Sequence, residues 1–156
     1  MAARLLCDAM LSRLGRWLRA AGYDTLIAED VAEDRHLLEI TRADGRVLIT
    51  RDRELAGRGT AEACVLHLRS DRAAEQAQEL RRHLHIDWLH APFTRCVVDN
   101  APLRAARSDE WQAVPPKARA LGGPFLTCPA CGRLYWQGSH HRRMAARLAS
   151  WQRDKT

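Results

Sequence analysis

The chain of 156 residues is long enough for one ordinary domain, or for a domain of about 100 residues with a small segment attached. Its composition, 46% hydrophobic and 28% charged, excludes a wholly disordered protein, and the net charge of +6 favours polyanionic partners. No apolar run approaches the roughly 18 residues of a membrane span, and the opening MAARLLCDAM lacks a signal-peptide pattern. We therefore expect a cytoplasmic protein with no membrane partner.

Short apolar runs alternate with segments of helical periodicity in the first half of the chain. Strands are predicted at residues 4–7, 24–27, 46–50 and 64–68. Helices are predicted from residue 10 to the glycine turn at 22, from an acidic start at Asp30 to Asp34, and from Asp71 to Leu84. Asp30 and Glu33 have the spacing of a capping box. Continuous apolar strands separated by helices are typical of an α/β domain on a mostly parallel sheet.

The amino-acid composition changes after Pro92. Prolines and glycines interrupt the segment that follows, and only residues 144–151 show helical periodicity again. Positive charge also concentrates there, in a tail that includes Arg142, Arg143 and Lys155. We therefore predict an α/β domain at residues 1–90 and a small basic segment at residues 91–156.

An acidic residue follows each of the four predicted strands. These residues are Asp8, Asp34, Asp52 and Asp71. Each one alone is typical of a helix N-cap, but ligands of an open parallel sheet bind at the carboxyl ends of its strands. Carboxylates crowded at one edge repel one another unless a cation joins them, and Mg²⁺ or Mn²⁺ there can activate water against a phosphodiester. The sequence thus predicts a catalytic metal site at this edge.

Three arginines lie close in sequence to these acids: Arg13, Arg51 and Arg53. A guanidinium group binds phosphate through paired hydrogen bonds, so these side chains are candidates for holding a nucleic-acid substrate. The alternative is that they are ordinary solvated arginines on the surface.

The cysteines point to a second metal site. Cys128 and Cys131 form a CPxCG turn, and an odd total of five cysteines favours metal binding over a disulfide framework. Cys7 and Cys64 are then predicted to be small buried apolar residues.

Three separated stretches closely resemble the Mut7-C family: CDAMLSRLGRWLRAAGYDT, VLITRDREL and CPACGRLYWQGSHHRRM. The resemblance implies a PIN-like three-layer α/β domain with a mostly parallel sheet, followed by a zinc-ribbon-like segment. It also implies a metal-dependent ribonuclease whose acids are Asp8, Asp34 and Asp52, with Mg²⁺ or Mn²⁺ as the catalytic ion. Asp71 is a fourth acid by position only, and Glu54 is a further possible metal ligand or water-orienting group.

The resemblance also implies a four-ligand zinc site. Family members carry a first CxxC knuckle soon after an arginine, and the corresponding stretch here places Asp99 where the second cysteine would stand. The expected zinc ligands are therefore Cys96, Asp99, Cys128 and Cys131. Two alternatives remain open at the level of sequence: three cysteines completed by a histidine or water, and a ribbon held by packing without metal.

The end of the chain suggests an RNA-binding surface. Tyr135 and Trp136 offer faces for base stacking, and Arg142 and Arg143 follow on a basic helix. The alternative is that both aromatic residues pin the ribbon to the main domain. The leading hypothesis is a metal-dependent ribonuclease that hydrolyses RNA, against a non-catalytic RNA-binding module or a protein-interaction surface. Nothing in the sequence fixes the oligomeric state.

Overall fold

The computed structural model describes residues 1–154, so Lys155 of the predicted basic tail lies outside the described residues. A four-stranded parallel sheet forms its centre, with strand order β2-β1-β3-β4. The strands are β1 (Leu5–Cys7), β2 (Thr25–Ile27), β3 (Val47–Thr50) and β4 (Val65–His67). The predicted α/β fold on a parallel sheet is confirmed.

Helices cover both faces of this sheet. They are α1 (Ser12–Ala20), which follows a 3-10 turn at Ala9–Leu11, α2 (Asp34–Asp44), α3 (Arg53–Gly57) and α4 (Ala73–Leu84). Successive strand residues point to opposite faces: Leu5 and Ile49 lie in one buried cluster, and Leu6 and Leu48 lie in another. The two central strands, β1 and β3, are continuous apolar runs because both of their faces are covered, which gives three layers.

Two sequence predictions are wrong: the N-cap of α2 and the burial of Cys64. Helix α2 begins at Asp34 with Glu33 as its N-cap residue, so Asp30 is not the cap; the amide of Ala32 instead bonds Glu29 in a preceding turn. Cys64 is exposed, whereas Cys7 is buried as predicted, and burial first, with the nearby Asp8 charge second, raises the pKa of Cys7 to about 12.

The C-terminal segment contains a second, antiparallel sheet in the order β5-β6-β7. Its strands are short: β5 (Arg104–Ala105), β6 (Leu126–Thr127) and β7 (Leu134–Tyr135). The helix α5 (Pro116–Ala120) packs beside it, and Val114, Ala118 and Phe125 form a small separate apolar cluster. A segment with so small a core is the kind of structure that a bound metal stabilises.

The last helix, α6 (Ser139–Arg153), packs against the first domain. The ring of Trp151 lies 5.1 Å from that of Trp17 and 4.9 Å from that of Trp88, and Leu148 and Trp151 belong to the main buried cluster. The predicted helix at residues 144–151 lies within α6. The domain boundary at residue 90 stays a prediction, but α6 contributes side chains to the core that the boundary assigns to residues 1–90. None of the helices in residues 1–154 has both the length and the apolar character needed to cross a membrane.

Candidate functional site

Asp8 and Asp52 follow the two central strands of the parallel sheet. Asp8 comes directly after β1, and Asp52 lies two residues beyond β3, which pairs with β1. The amide of Asp8 donates to the carbonyl of Ile49 at 3.2 Å, so the strand ends stay in register up to the first acid. The carboxyl ends of adjacent parallel strands meet at one edge, and this edge therefore carries both residues.

Thr50, the fully buried last residue of β3, connects the two acids. Its hydroxyl donates to Oδ2 of Asp8 and accepts a hydrogen bond from the amide of Asp52 at 3.0 Å. Asp8 itself is only 7% exposed, and its other oxygen, Oδ1, is buried without a hydrogen-bond partner in the described residues. A buried carboxylate oxygen rarely stays without a partner, so this atom fits a bound cation.

Asp52 caps helix α3. Its Oδ1 accepts from the amides of Glu54 at 2.8 Å and Leu55 at 3.2 Å, which satisfies two free amides of the first turn. The residue is exposed, and Glu54 beside it is exposed as well. The cap uses one carboxylate oxygen, so the capping role and a metal-binding role through Oδ2 are compatible.

The other two predicted acids lie toward the sides of the same edge. Asp34 begins α2, and its Oδ2 lies 3.5 Å from a guanidinium nitrogen of Arg58. Asp71 is exposed between β4 and α4, where it lines a cavity of about 210 Å³ with Arg13 and Arg51. Among residues 1–154, no three of these acids bring ligand atoms within 4.8 Å of one another. A Mg²⁺ or Mn²⁺ ion there would complete its coordination with water, as Mg²⁺ commonly does.

The predicted zinc ligands do come together. Ligand atoms of Cys96, Asp99, Cys128 and Cys131 all lie within 4.8 Å of one another, and this group can hold a metal ion such as zinc. Sγ of Cys96 is 3.9 Å from Sγ of Cys131, and Sγ of Cys128 is 3.2 Å from both carboxylate oxygens of Asp99. In tetrahedral zinc geometry the corresponding edges are about 3.8 Å between sulfurs and about 3.5 Å between sulfur and oxygen.

The two ligand turns have the same backbone geometry. The amide of Asn100 bonds the carbonyl of Cys96 at 2.9 Å, and the amide of Gly132 bonds the carbonyl of Cys128 at 2.8 Å. Asn100 and Gly132 both have φ near the left-handed helical region, at 73°. Asp99 therefore occupies in the first turn the ligand position that Cys131 occupies in the second. Asn tolerates this backbone conformation better than most residues other than glycine.

Hydrogen bonds stabilise negative charge in this cluster. Burial acts to raise the pKa of Cys96, but the Tyr135 hydroxyl, 3.0 Å from its sulfur, and two backbone amides lower it overall. Burial also opposes ionisation of Asp99, yet a backbone amide and the neighbouring thiols lower its pKa to about 2. The pKa of Cys128 is raised to about 11, by burial first and also by its bond to Asp99. A divalent cation would reverse that last effect, because it favours the thiolate.

The first ligand turn is fixed to the amino-terminal edge of the parallel sheet, the end opposite the acids. Arg19 of α1 donates to the carbonyls of Val97 and Val98 at 3.1 and 2.9 Å. Asn100 donates to the Asp24 carboxylate at 2.8 Å and accepts from the amide of Thr25 at 3.0 Å. The turn is therefore attached by polar contacts to the start of β2.

The residues predicted to bind RNA at the end of the chain have mixed environments. Tyr135 is half-buried with its hydroxyl directed at Cys96, and Trp136 packs against the apolar cluster of the C-terminal segment. Arg142 and Arg143 are exposed on α6. The predicted RNA contacts of all four residues stay predictions, and the two aromatic side chains contact the C-terminal segment itself.

Two residues that position the candidate sites were missed at the level of sequence. Thr50 joins the acids, and its only sequence signal is its position as the last residue of the clearest strand. Asn100 fixes the first ligand turn to the sheet. Its sequence signal is its position, because it directly follows the CxxD stretch just as Gly132 directly follows the CxxC stretch of the second turn.

Comparisons with known proteins place the chain in a family. The Mut7-C RNAse domain family matches residues 3–148, nearly the whole chain. A protein of Homo sapiens described as an exonuclease mut-7 homolog is 31% identical over 103 residues, which cover 64% of this chain and 12% of that protein. The chain thus matches a small part of that relative's length. No solved structure matches the chain.

Proposed function

The chain belongs to the Mut7-C RNAse domain family, and from this premise we propose that it is a metal-dependent ribonuclease that hydrolyses RNA phosphodiester bonds. The proposed catalytic ion is Mg²⁺ or Mn²⁺ at the carboxyl edge of the parallel sheet. Asp8, Asp34 and Asp52 would hold it, and Asp71 would assist from the neighbouring loop. Family membership supports a nuclease-like role, and the metal and the RNA substrate are our proposals.

One observation carries the proposal: the buried Oδ1 of Asp8 has no hydrogen-bond partner among the described residues. Thr50 occupies the other oxygen of the same carboxylate, which fixes its orientation. The hydrogen bonds by which Asp52 caps α3 likewise fix the orientation of its carboxylate, through one oxygen. Carboxylates held in place before the ion arrives lose little conformational entropy on binding it.

The mechanism follows from the roles of these side chains. When bound, the ion supplies an activated water and stabilises negative charge on the phosphate. Asp8 and Asp52 would hold the ion at the open edge of the sheet. Arg51 and Arg53, which follow β3, are placed to hold the phosphate groups of the RNA through charge-assisted hydrogen bonds. No side-chain nucleophile is required, because a water oxygen would bond to the phosphorus while the bond from phosphorus to the leaving sugar oxygen breaks and that oxygen takes up a proton.

The cysteine cluster would hold zinc in a structural role. Four protein ligands whose atoms lie within 4.8 Å of one another match the ligand number of structural zinc sites, in which water holds no position. Because such a site needs reduced thiols, we expect the protein to act in a reducing compartment such as the cytoplasm. The basic helix α6, which follows the ribbon, would add RNA affinity through Arg142 and Arg143.

The direct test is cleavage of labelled RNA with and without Mn²⁺ by the parent protein and by an Asp8→Asn, Asp52→Asn variant. Asn keeps the helix-capping ability of Asp52 and can still accept the Thr50 hydrogen bond, so the variant removes charge while it preserves the contacts. We expect cleavage to fall by at least about a hundredfold, within the range that single catalytic groups contribute. The matched control is Asp109→Asn, which changes an exposed carboxylate of the C-terminal segment.

A non-catalytic RNA-binding module is the second candidate, and the capping role of Asp52 is the observation in its favour. It predicts salt-sensitive RNA affinity with no cleavage by either protein. Equal Mn²⁺-dependent cleavage by the parent and the double variant would contradict both candidates, because it would place the activity elsewhere.

A further inference from the structure

Two neighbouring cavities at the carboxyl edge differ sharply in chemistry. The first, of about 210 Å³, combines apolar residues, among them Leu11, Leu14 and Trp17, with four polar residues of both kinds, Arg13, Arg51, Asp71 and Gln76. A cavity of about 150 Å³ can hold benzene, so this one has room for a larger aromatic ring. Its mixture of apolar walls and both donors and acceptors matches a nucleobase better than a phosphate group.

This first cavity, which we call the base cavity, adjoins the proposed catalytic acid. Met10 and Leu11, which line it, follow Asp8 in the 3-10 turn at Ala9–Leu11. Met10 is 72% exposed although it is a large apolar residue. Its flexible thioether stands where it can pack against the edge or face of an aromatic ring.

The second cavity, which we call the arginine cavity, has a volume of about 510 Å³ and no carboxylate among its lining residues, which are Arg51, Arg53, His67, Leu68 and Arg69. Hydrogen bonds hold the backbone at one of its lining residues in place: the buried Glu79 accepts from the amides of Arg69 and Ser70 at 3.0 and 2.9 Å. Three guanidinium groups around one opening create a site for phosphate.

Arg51 joins the two cavities, because it is a lining residue of both. It is only partly exposed, and its Nε is buried without a hydrogen-bond partner in the described residues. A buried donor without a partner is unfavourable in the free protein, and an anion placed between the cavities would satisfy it.

We propose that the base cavity holds one unstacked base of a single-stranded RNA and that the arginine cavity holds the phosphates that follow it. This inference rests on the proposed function and adds to it a substrate class, single-stranded RNA, and a defined path across the edge. A base in an A-form duplex is stacked and paired, so it enters such a cavity only after it is flipped out at an energetic cost.

The test measures binding without added Mg²⁺ or Mn²⁺ and without a chelator, which withholds the catalytic ion but leaves zinc in the cysteine cluster, so a failure of the nuclease proposal would leave its result unchanged. Fluorescence anisotropy compares a short labelled RNA strand with the same strand annealed to its complement. We expect the single strand to bind more tightly than the duplex. Met10→Ala should weaken single-strand binding by about threefold to tenfold, since one thioether-aromatic contact is lost. Leu121→Ala, which removes another exposed apolar side chain, is the matched control and should leave the affinity unchanged.

Two further measurements locate the base and the phosphates. In a series of RNA strands, each with one abasic nucleotide at a different position, affinity should fall at one position. With that strand, Met10→Ala should cause no further loss of affinity, because the base that Met10 contacts is already absent. Arg53→Ala and Arg69→Ala should each lower the slope of log affinity against log salt by about 0.7 per lost phosphate contact, whereas Arg119→Ala should not. Equal affinity for strand and duplex, or no effect of Met10→Ala, would overturn the inference.

Discussion

At the scale of single residues, Thr50 is the most informative position at the carboxyl edge. Thr50→Val keeps the shape of this buried side chain but removes the hydroxyl that donates to Asp8 and accepts from Asp52. We expect Mn²⁺ affinity to fall by about tenfold to a hundredfold, the usual effect of losing a group that orients a metal ligand. The measurement is a titration of free Mn²⁺ by electron paramagnetic resonance.

Thr50→Ser is the matched control, because it keeps the hydroxyl and loses only a methyl group. We expect its Mn²⁺ affinity to stay close to that of the parent protein. If Thr50→Val and the parent bind Mn²⁺ equally, the hydroxyl does not orient Asp8 for a metal ion, and the hydrogen bond is a feature of the fold alone.

Asp99 is the residue that distinguishes this ligand cluster from a set of four cysteines. Asp99→Cys should restore a fourth thiolate at the matching position of the first turn, and zinc prefers thiolate to carboxylate in closed structural sites. We expect the variant to retain zinc at chelator concentrations that strip the parent, and Asp99→Ala to release zinc more readily than either. A chromophoric chelator follows the release.

The control for this comparison is Cys64→Ser, which removes an exposed thiol outside the cluster. It should release zinc as the parent does. Identical zinc retention by the parent, Asp99→Cys and Asp99→Ala would show that Asp99 is not a ligand and would favour completion of the site by another group.

At the scale of elements, one ion-pair network ties three strand starts together. Asp24 precedes β2 and accepts hydrogen bonds from Arg46, which precedes β3, at 2.9 Å and from Arg4, which precedes β1, at 3.2 Å. Asn100 of the first ligand turn joins the same carboxylate. Arg46 is only 5% exposed, so its charge depends on Asp24 and on Asp44, whose Oδ2 lies 3.3 Å from its Nε.

Asp24→Asn should therefore destabilise the fold. The substitution leaves Asp44 as the remaining carboxylate beside the buried Arg46, and we expect the free energy of unfolding at neutral pH to fall by about 2 kcal/mol, less than for a buried pair that loses its sole partner. Chemical denaturation followed by circular dichroism measures the change. Asp109→Asn, whose carboxylate is exposed, should change stability little.

The same carboxylate makes stability depend on pH. Burial alone would raise the pKa of Asp24, but hydrogen bonds from Arg46 and Asn100 and the charge of Arg46 outweigh it and hold the pKa below its ordinary range. The ionised form stabilises the folded chain above the unfolded pKa of about 3.9, and this contribution is lost as the pH falls further. Below about pH 4, the unfolding free energy of the parent should thus decrease more steeply than that of Asp24→Asn, by up to about 1.4 kcal/mol per pH unit.

The elements were predictable where one local signal decides the structure. The continuous apolar run at Val47–Thr50 predicts a buried strand, and the sheet buries it on both faces. The basic helix that carries Arg142 and Arg143 is confirmed, and α6 begins at Ser139 although the apolar period starts only at Met144. The Thr50 contact could not be predicted, because it depends on the register between β1 and β3, which no short stretch of sequence encodes.

At the scale of the whole molecule, the two candidate sites lie at opposite ends of one sheet. Asp8 and Asp52 follow the strands, whereas the first ligand turn is fixed to Asp24 and Thr25 at the strand starts. A metal in the cysteine cluster therefore acts on the acids only through the fold. This arrangement favours a structural role for zinc. It also means that the first ligand turn lies away from the open edge where RNA would enter.

The C-terminal helix α6 links the ribbon back to the first domain, which leads to a prediction about fragments. Leu148 and Trp151 are buried in the same cluster as Leu18 and Trp88. Loss of a buried aromatic side chain alone costs about 3–5 kcal/mol, against a total stability of about 5–15 kcal/mol for a typical domain. A fragment of residues 1–90 lacks both side chains as well as the turn that bonds Asp24.

We therefore expect residues 1–90 alone, and residues 1–138, to lack a cooperative unfolding transition, whereas residues 1–154 should unfold as the full chain does. Near-ultraviolet circular dichroism of the buried tryptophans and thermal unfolding measure this directly. A native-like, cooperative fragment 1–90 would establish the predicted boundary as a true domain limit. It would also mean that the parallel sheet and helices α1 to α4 hold their core without α6, so that the tryptophan contacts of that helix fix its position and add little to stability.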